Sequence, residues 1–213
     1  TAVDFNPFEG GELDKTIPAI ESQQEIWASC AIGDEDANRS YNASVSLRLS
    51  GVFDQNAMEK AIHEVVNRHE ALRATMSADG KNLCIYKDSP IFVSYEDLSA
   101  LQSDELQKKL KEIDQEDAES SFNLLDGPLF NPIIFKFSAT EHIVRLTAHH
   151  IICDGWSFGI ILEDLGKLYS AYVQGQQPEL EKPVPFSEYA AELEVFSKSE
   201  EYKKTEAYWL NEY

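Results

Sequence analysis

Thr147-Ala148-His149-His150-Ile151-Ile152-Cys153-Asp154-Gly155-Trp156-Ser157 closes one apolar run and opens another. Upstream, Val144, Leu146, Ala148 and His150 alternate with Ile143, Arg145, Thr147 and His149, the period of a strand whose neighbouring side chains point to opposite faces. Downstream, Phe158, Ile161, Leu162, Leu165, Leu168, Tyr169 and Tyr172 recur at three and four residues, and Gly175 supplies a left-handed stop, the signature of an amphipathic helix. Asp154-Gly155 forms the turn between them, and either Asp154 or Ser157 can cap the helix. Trp156 and Phe158 read as packing residues.

The flanking sequence extends this strand–turn–helix unit. Ser22-Gln23-Gln24-Glu25 has the spacing of a capping box, predicting a helix from about Gln23 towards Ala31. Ala43, Val45, Leu47 and Leu49 alternate with polar residues as in a half-buried strand closed by Ser50-Gly51. Asp54 caps a helix whose apolar positions are Ala57, Ala61, Ile62, Val65 and Val66. Short strands are predicted over Leu72–Met76, Leu83–Tyr86 and Ile91–Tyr95, the first two joined through Asp79-Gly80. Asp104–Ala118 reads as a charged surface helix. Leu129–Phe137 and His142–His150 form a hairpin, and Phe186–Ser197 and Glu201–Asn211 are helices beyond a Pro-bearing connector. Helices and strands that do not alternate regularly give an α+β fold, a mixed, largely antiparallel sheet covered by helices.

Composition narrows the function. The 213 residues include 38 acidic and 18 basic side chains, a formal charge of −20, which disfavours nucleic acid and anionic membrane surfaces. No apolar run reaches the roughly 20 residues of a membrane helix, Thr1-Ala2-Val3-Asp4-Phe5 lacks a signal-peptide pattern, and no Gly-rich phosphate loop follows a strand. Cys30, Cys84 and Cys153 are odd in number and lie in apolar runs, so reduced thiols and a cytoplasmic location are expected. A chain that starts on Thr1 and stops on Trp209-Leu210-Asn211-Glu212-Tyr213 reads as a segment of something longer.

At the junction itself, strand geometry separates the histidines, assigning His149 to the fold and His150 to a cavity beyond the packed wall. Metal binding would need ligands that this separation denies. A Cys153 nucleophile would need a base and a positive neighbour, and has neither in sequence. A neutral His150 imidazole suits general-base or orienting work on an attacking amine or hydroxyl, with two satisfied core histidines as the alternative. Gly155 lets a backbone approach closely or adopts positive φ. Arg68 and Arg73 flank a helix end and are read as structural, as is His69; His63 and His142 are read as surface residues.

The run from His149 to Ser157 resembles the HHxxxDGWS signature of condensation domains of nonribosomal peptide synthetases, relatives of chloramphenicol acetyltransferase. Four more stretches agree in order: Ser22-Gln23-Gln24-Glu25-Ile26-Trp27; Arg68-His69-Glu70-Ala71-Leu72-Arg73; Phe122-Asn123-Leu124 with Gly127-Pro128-Leu129; and Phe186-Ser187-Glu188-Tyr189-Ala190. Gln24-Glu25-Ile26-Trp27 followed by Tyr41-Asn42 is similar to condensation domains that follow polyketide modules. Cys153 stands where serine is commoner, and Glu25 and Ile26 depart from the first motif's basic pattern.

The resemblance implies that residues 1–213 are the amino-terminal, acetyltransferase-like lobe of a two-lobed domain with a tunnel between the lobes. It implies amide formation between a donor acyl or peptidyl thioester and an aminoacyl acceptor, both on carrier proteins. His150 is then the general base or amine orienter, Asp154 and His149 are structural, Gly155 positions reactants through its backbone, and Trp156 and Ser157 are candidate substrate contacts. The implied partners are donor and acceptor carriers, the second lobe and neighbouring synthetase domains. Phosphopantetheine arrives on the carriers, so no cofactor or metal of the chain's own is expected. The lobe alone is expected to be inactive. An epimerisation domain, a stand-alone acyltransferase or a non-catalytic carrier-binding module are the alternatives.

Overall fold

A computed structural model describes residues 11–212. Thr1 to Phe5, read above for a signal pattern, lie outside the described residues, as does Tyr213. In chain order the elements are β1 (Leu13–Pro18), α1 (Glu21–Ser40), β2 (Asn42–Ser50), α2 (Gln55–Arg68), a 3-10 turn (Glu70–Arg73), β3 (Ala74–Met76), β4 (Asn82–Tyr86), β5 (Ser94–Asp97), α3 (Ser103–Glu119), β6 (Phe130–Ser138), β7 (Glu141–His149), α4 (Gly155–Val173), α5 (Phe186–Ser197) and α6 (Glu200–Glu212).

The strands form two sheets, ordered β1-β4-β3 and β2-β7-β6-β5. In the larger sheet, β7 pairs antiparallel with β2 and β6 while β5 adds in parallel to β6, so the sheet is mixed and mostly antiparallel. Val144, Leu146 and Ala148 of β7 are buried, as are Ala57, Met58, Ala61, Ile62, Val65 and Val66 of α2 and Phe158, Ile161, Leu165 and Leu168 of α4. Nearly all belong to one hydrophobic core, and each fully buried aliphatic side chain contributes roughly 1.5–3 kcal/mol. A smaller cluster of Leu98, Ile113 and Phe135 seats α3.

Local chemistry explains the boundaries. Asp54 Oδ1 accepts the Ala57 N–H at 2.9 Å and caps α2 as expected. Gly175, at φ 67°, ends α4 with its N–H on the Tyr172 carbonyl and the next N–H on Ala171. In the β3–β4 turn Gly80 takes φ 69°, and a Cβ there would lie 2.3 Å from the Trp27 ring.

Several boundaries differ from the sequence expectation. The helix predicted to start near Gln23 starts at Glu21, because Gln23 Oε1 reaches back to the Ile20 N–H at 3.1 Å, two residues earlier than the capping-box spacing suggested. It continues past Ala31 to Ser40, interrupted at Asp34, whose φ of 55° and ψ of −149° are non-helical. Strand β1 was not expected. Leu72 and Arg73 lie in the 3-10 turn, not in a strand, and the third short strand is Ser94–Asp97 where Ile91–Tyr95 was expected. His142, expected at the surface, is buried and stacked on Phe53 with ring centroids 4.2 Å apart.

Candidate active site

Strand β7 delivers His149 and His150 to the turn that leads into α4, and three other segments hold that turn. The His149 N–H bonds the Leu129 carbonyl at 3.0 Å and the His150 N–H bonds the Tyr41 carbonyl at 2.8 Å. Gln23 of α1, itself buried, donates from Nε2 to the Ile151 carbonyl at 2.8 Å. Ile152 closes the turn onto the His149 carbonyl at 3.0 Å. A buried backbone carbonyl left unpaired is costly, so Gln23 ties the turn to the first helix.

The two histidines part, but not by continued alternation, which would put His150 in the buried row of Val144, Leu146 and Ala148: β7 ends at His149, so His150 belongs to the turn and leaves that row. His149 is 0% exposed, against Tyr41 and edge-on to Phe122 at 6.1 Å. Its Nδ1 accepts the Ile151 N–H at 3.2 Å and Nε2 lies 4.0 Å from Cys30 Sγ. This assigns the proton of the neutral ring to Nε2. Burial pushes its pKa down to about 4, so it holds no charge near neutrality. His150 is exposed, and its ring makes no hydrogen bond among the described residues.

Asp154 caps α4, its Oδ1 accepting the Ser157 N–H at 2.8 Å and the Ser157 hydroxyl at 2.6 Å. The hydroxyl, with the N–H, holds the carboxyl below the usual range. Gly155 has neither a positive φ nor a close neighbour, and a Cβ there would meet nothing within 4 Å. The two conformational reasons expected for this glycine are therefore absent within the described residues. Its N–H is one of the unbonded donors of the helix's first turn. Trp156, expected to pack, is 83% exposed, whereas Phe158 is buried. The outer face of the motif thus presents His150, Gly155 and Trp156 together to open space.

Burial pushes the Cys153 thiol up to about 12, which removes the thiolate that nucleophilic catalysis requires. Among the described residues, no three His, Cys, Asp or Glu side chains are grouped to hold a metal ion.

The other sequence motifs converge behind this site. Asp164, on the inner face of α4, accepts from Arg68 Nε at 3.2 Å and pairs with His69 Nε2 at 2.9 Å; Arg68 also donates to the Glu181 carbonyl at 2.8 Å. Glu70 takes Lys15 Nζ at 2.8 Å and the Ser187 N–H at 2.9 Å, joining segments 117 residues apart. Arg73 bonds the carbonyls of Tyr86 and Lys87. The Phe122 amide and carbonyl are both held by the Asn38 side chain at 3.0 Å. Asn38 and Asp164 lie outside every motif quoted from the sequence, and Tyr41 enters there only through the Tyr41-Asn42 resemblance. An acid three residues after Ile161 and one before Leu165, on an otherwise apolar helical face, was the available signal for Asp164.

The family model for the condensation domain matches residues 14–213. The chain belongs to the condensation-domain family. Malpinin synthetase of Mortierella alpina is 30% identical over 199 residues, 92% of this chain but 2% of that protein. Surfactin synthase subunit 1 of Bacillus subtilis (strain 168) is 31% identical over 214 residues, covering 100% of this chain and 6% of that protein. Among solved structures, VibH, an NRPS condensation enzyme, superposes with a TM-score of 0.74 at 26% identity, over 90% of this chain and 44% of VibH. The starter condensation domain of the rhizomide synthetase RzmA gives 0.83 at 23% identity, over 93% and 50%. The chain therefore spans half or less of these condensation enzymes, and shares with them the α+β architecture expected from its sequence.

Proposed function

We propose that this chain is the amino-terminal lobe of a condensation domain that, with its second lobe, joins a carrier-borne acyl or peptidyl thioester to a carrier-borne aminoacyl amine. The observation that carries this reading is the division of labour at the motif. His149 is locked neutral in the core, while the adjacent imidazole of His150 is open to solvent on a turn pinned by three other segments.

In the reaction, the acceptor amine attacks the thioester carbonyl. The new C–N bond forms as the C–S bond breaks, leaving an amide on the acceptor carrier and a thiol on the donor carrier. His150 orients the amine and takes its surplus proton, which ends on the departing sulfur. The unbonded N–H groups at the start of α4, Gly155 among them, face developing negative charge at the carbonyl oxygen with the favourable end of the helix dipole. Asp154 keeps that helix start in place, and Trp156 and Ser157 flank the reacting groups. Phosphopantetheine belongs to the carriers, which are the partners together with the second lobe and the neighbouring synthetase domains.

The test is amide formation from loaded carriers. A two-lobed protein containing this sequence is expected to turn over, and the 213-residue chain alone is not, because one wall of the site is missing. His150→Ala in the folded two-lobed protein is expected to lose about 10²–10⁴-fold, the range for a positioned proton acceptor. Full turnover by that variant contradicts the assignment.

A further inference from the structure

Helix α1 does not run unbroken into β2. At Asp34 its backbone takes φ 55° and ψ −149°, a region that favours glycine and strains a residue with a side chain. Strain of that kind persists where neighbouring contacts impose it, and past the break three side chains grip the segment that follows α3. Arg39 Nη1 donates to the Glu119 carbonyl at 3.1 Å and Asn42 Nδ2 to the Ser120 carbonyl at 2.8 Å. Asn38, the buried one of the three, holds Phe122 at both ends: Nδ2 donates to its carbonyl and Oδ1 accepts its N–H, each at 3.0 Å. A side-chain amide carries a donor and an acceptor side by side, the match for one residue's C=O and N–H, which neither a carboxylate nor a hydrocarbon supplies.

Asn38 reaches both histidines of the motif. Its carbonyl accepts the Tyr41 N–H at 3.1 Å, and the Tyr41 carbonyl accepts the His150 N–H at 2.8 Å. Phe122, which its side chain grips, stands edge-on to His149, and the Tyr41 and His149 ring centroids are 5.9 Å apart. The His150 ring makes no hydrogen bond among the described residues, so the place of this imidazole is set through its backbone. A shift of the Tyr41 carbonyl therefore moves the imidazole without touching it.

We propose that Asn38 is a positioning residue for amide formation: by clamping Phe122 and holding Tyr41 it fixes where His150 stands. The role rests on the condensation reading, which supplies the reaction that His150 serves.

Single-turnover amide formation in the two-lobed protein tests it, through a double-mutant cycle with His150. Asn38→Ala is expected to slow the reaction about 10–100-fold, the effect of displacing a reacting group by up to roughly 1 Å. On a His150→Ala background the same change is expected to slow it less than about 2-fold, because residues that act as one unit lose their effect together. Asn38→Asp keeps the acceptor for the Phe122 N–H and loses the donor to its carbonyl; it is expected to fall between wild type and Asn38→Ala, and it carries the same cycle where Asn38→Ala does not fold. Ile113→Val, in the separate cluster that seats α3, is expected to lower the unfolding midpoint without slowing the reaction. Unchanged turnover in the Asn38 variants overturns the role, as do additive losses in the cycle or equal slowing in Ile113→Val, and each of these leaves the condensation reading standing. Wild-type two-lobed protein that forms no amide contradicts that reading and removes the role with it.

Discussion

At the scale of single residues, two adjacent histidines acquire opposite properties from a change of one position. His149 is neutral in the fold until about pH 4, whereas an unfolded histidine titrates near 6.5. Between those values the unfolded chain binds more protons, so stability present at pH 7 is lost as pH falls through that window. A depression of this size corresponds to on the order of 3 kcal/mol. His142, also lowered by burial, acts in the same direction. Urea unfolding at pH 7 and pH 4.5 checks this. The wild-type chain is expected to lose most of that stability, and His149→Gln to lose clearly less over the same interval. An unchanged pH dependence in the variant contradicts the buried-neutral assignment. Alternation along the strand shows only that the two side chains face apart and puts His150 in the row of Val144, Leu146 and Ala148, which is buried; the exposure of His150 comes from β7 ending at His149, which no local pattern marks. The exposure of Trp156, by contrast, was legible, although the residue reads at first as packing: two residues along a helix turn a side chain by about 200°, so the period that buries Phe158 points Trp156 outward.

At the scale of elements, what sequence shows depends on whether an element is self-sufficient. Helices α2 and α4, with apolar residues at helical spacing and capping aspartates at Asp54 and Asp154, form where the pattern predicts. Strand β1 escaped because Leu13-Asp14-Lys15-Thr16-Ile17-Pro18 carries charges and ends in proline. It is a strand by virtue of pairing with β4. The parallel pairing of β5 with β6 joins Ser94–Asp97 to Ile133–Lys136, which no local pattern encodes. The same limit hid the role of Gln23, whose partner carbonyl is 128 residues away. Gln23→Leu leaves the Ile151 carbonyl unpaired, at a cost of about 1–3 kcal/mol, and also removes the side-chain bond to the Ile20 N–H at the start of α1. Denaturant unfolding measures that loss, and amide exchange at His150 and Ile152 is expected to quicken more than exchange in β6. Uniform acceleration across both would contradict a local tie between α1 and the motif turn.

At the scale of the whole molecule, five dispersed sequence motifs become one neighbourhood. Gln23 meets Ile151, Phe122 meets His149, and Glu70 meets Ser187, while Arg68 and His69 brace Asp164 on the helix that Asp154 caps. Most of these contacts support a turn that puts a single imidazole, His150, at an open face. The same turn carries Cys153, a nucleophile by residue type but buried and held as a thiol. Proton handling, not thiol chemistry, is therefore the central claim about this motif. Single-turnover amide formation in the two-lobed protein, comparing His150→Ala with Cys153→Ala, tests it most directly. Cys153→Ala is expected to stay within a few-fold of wild type and His150→Ala to fall about 10²–10⁴-fold; a collapse in Cys153→Ala with His150→Ala intact would contradict the account.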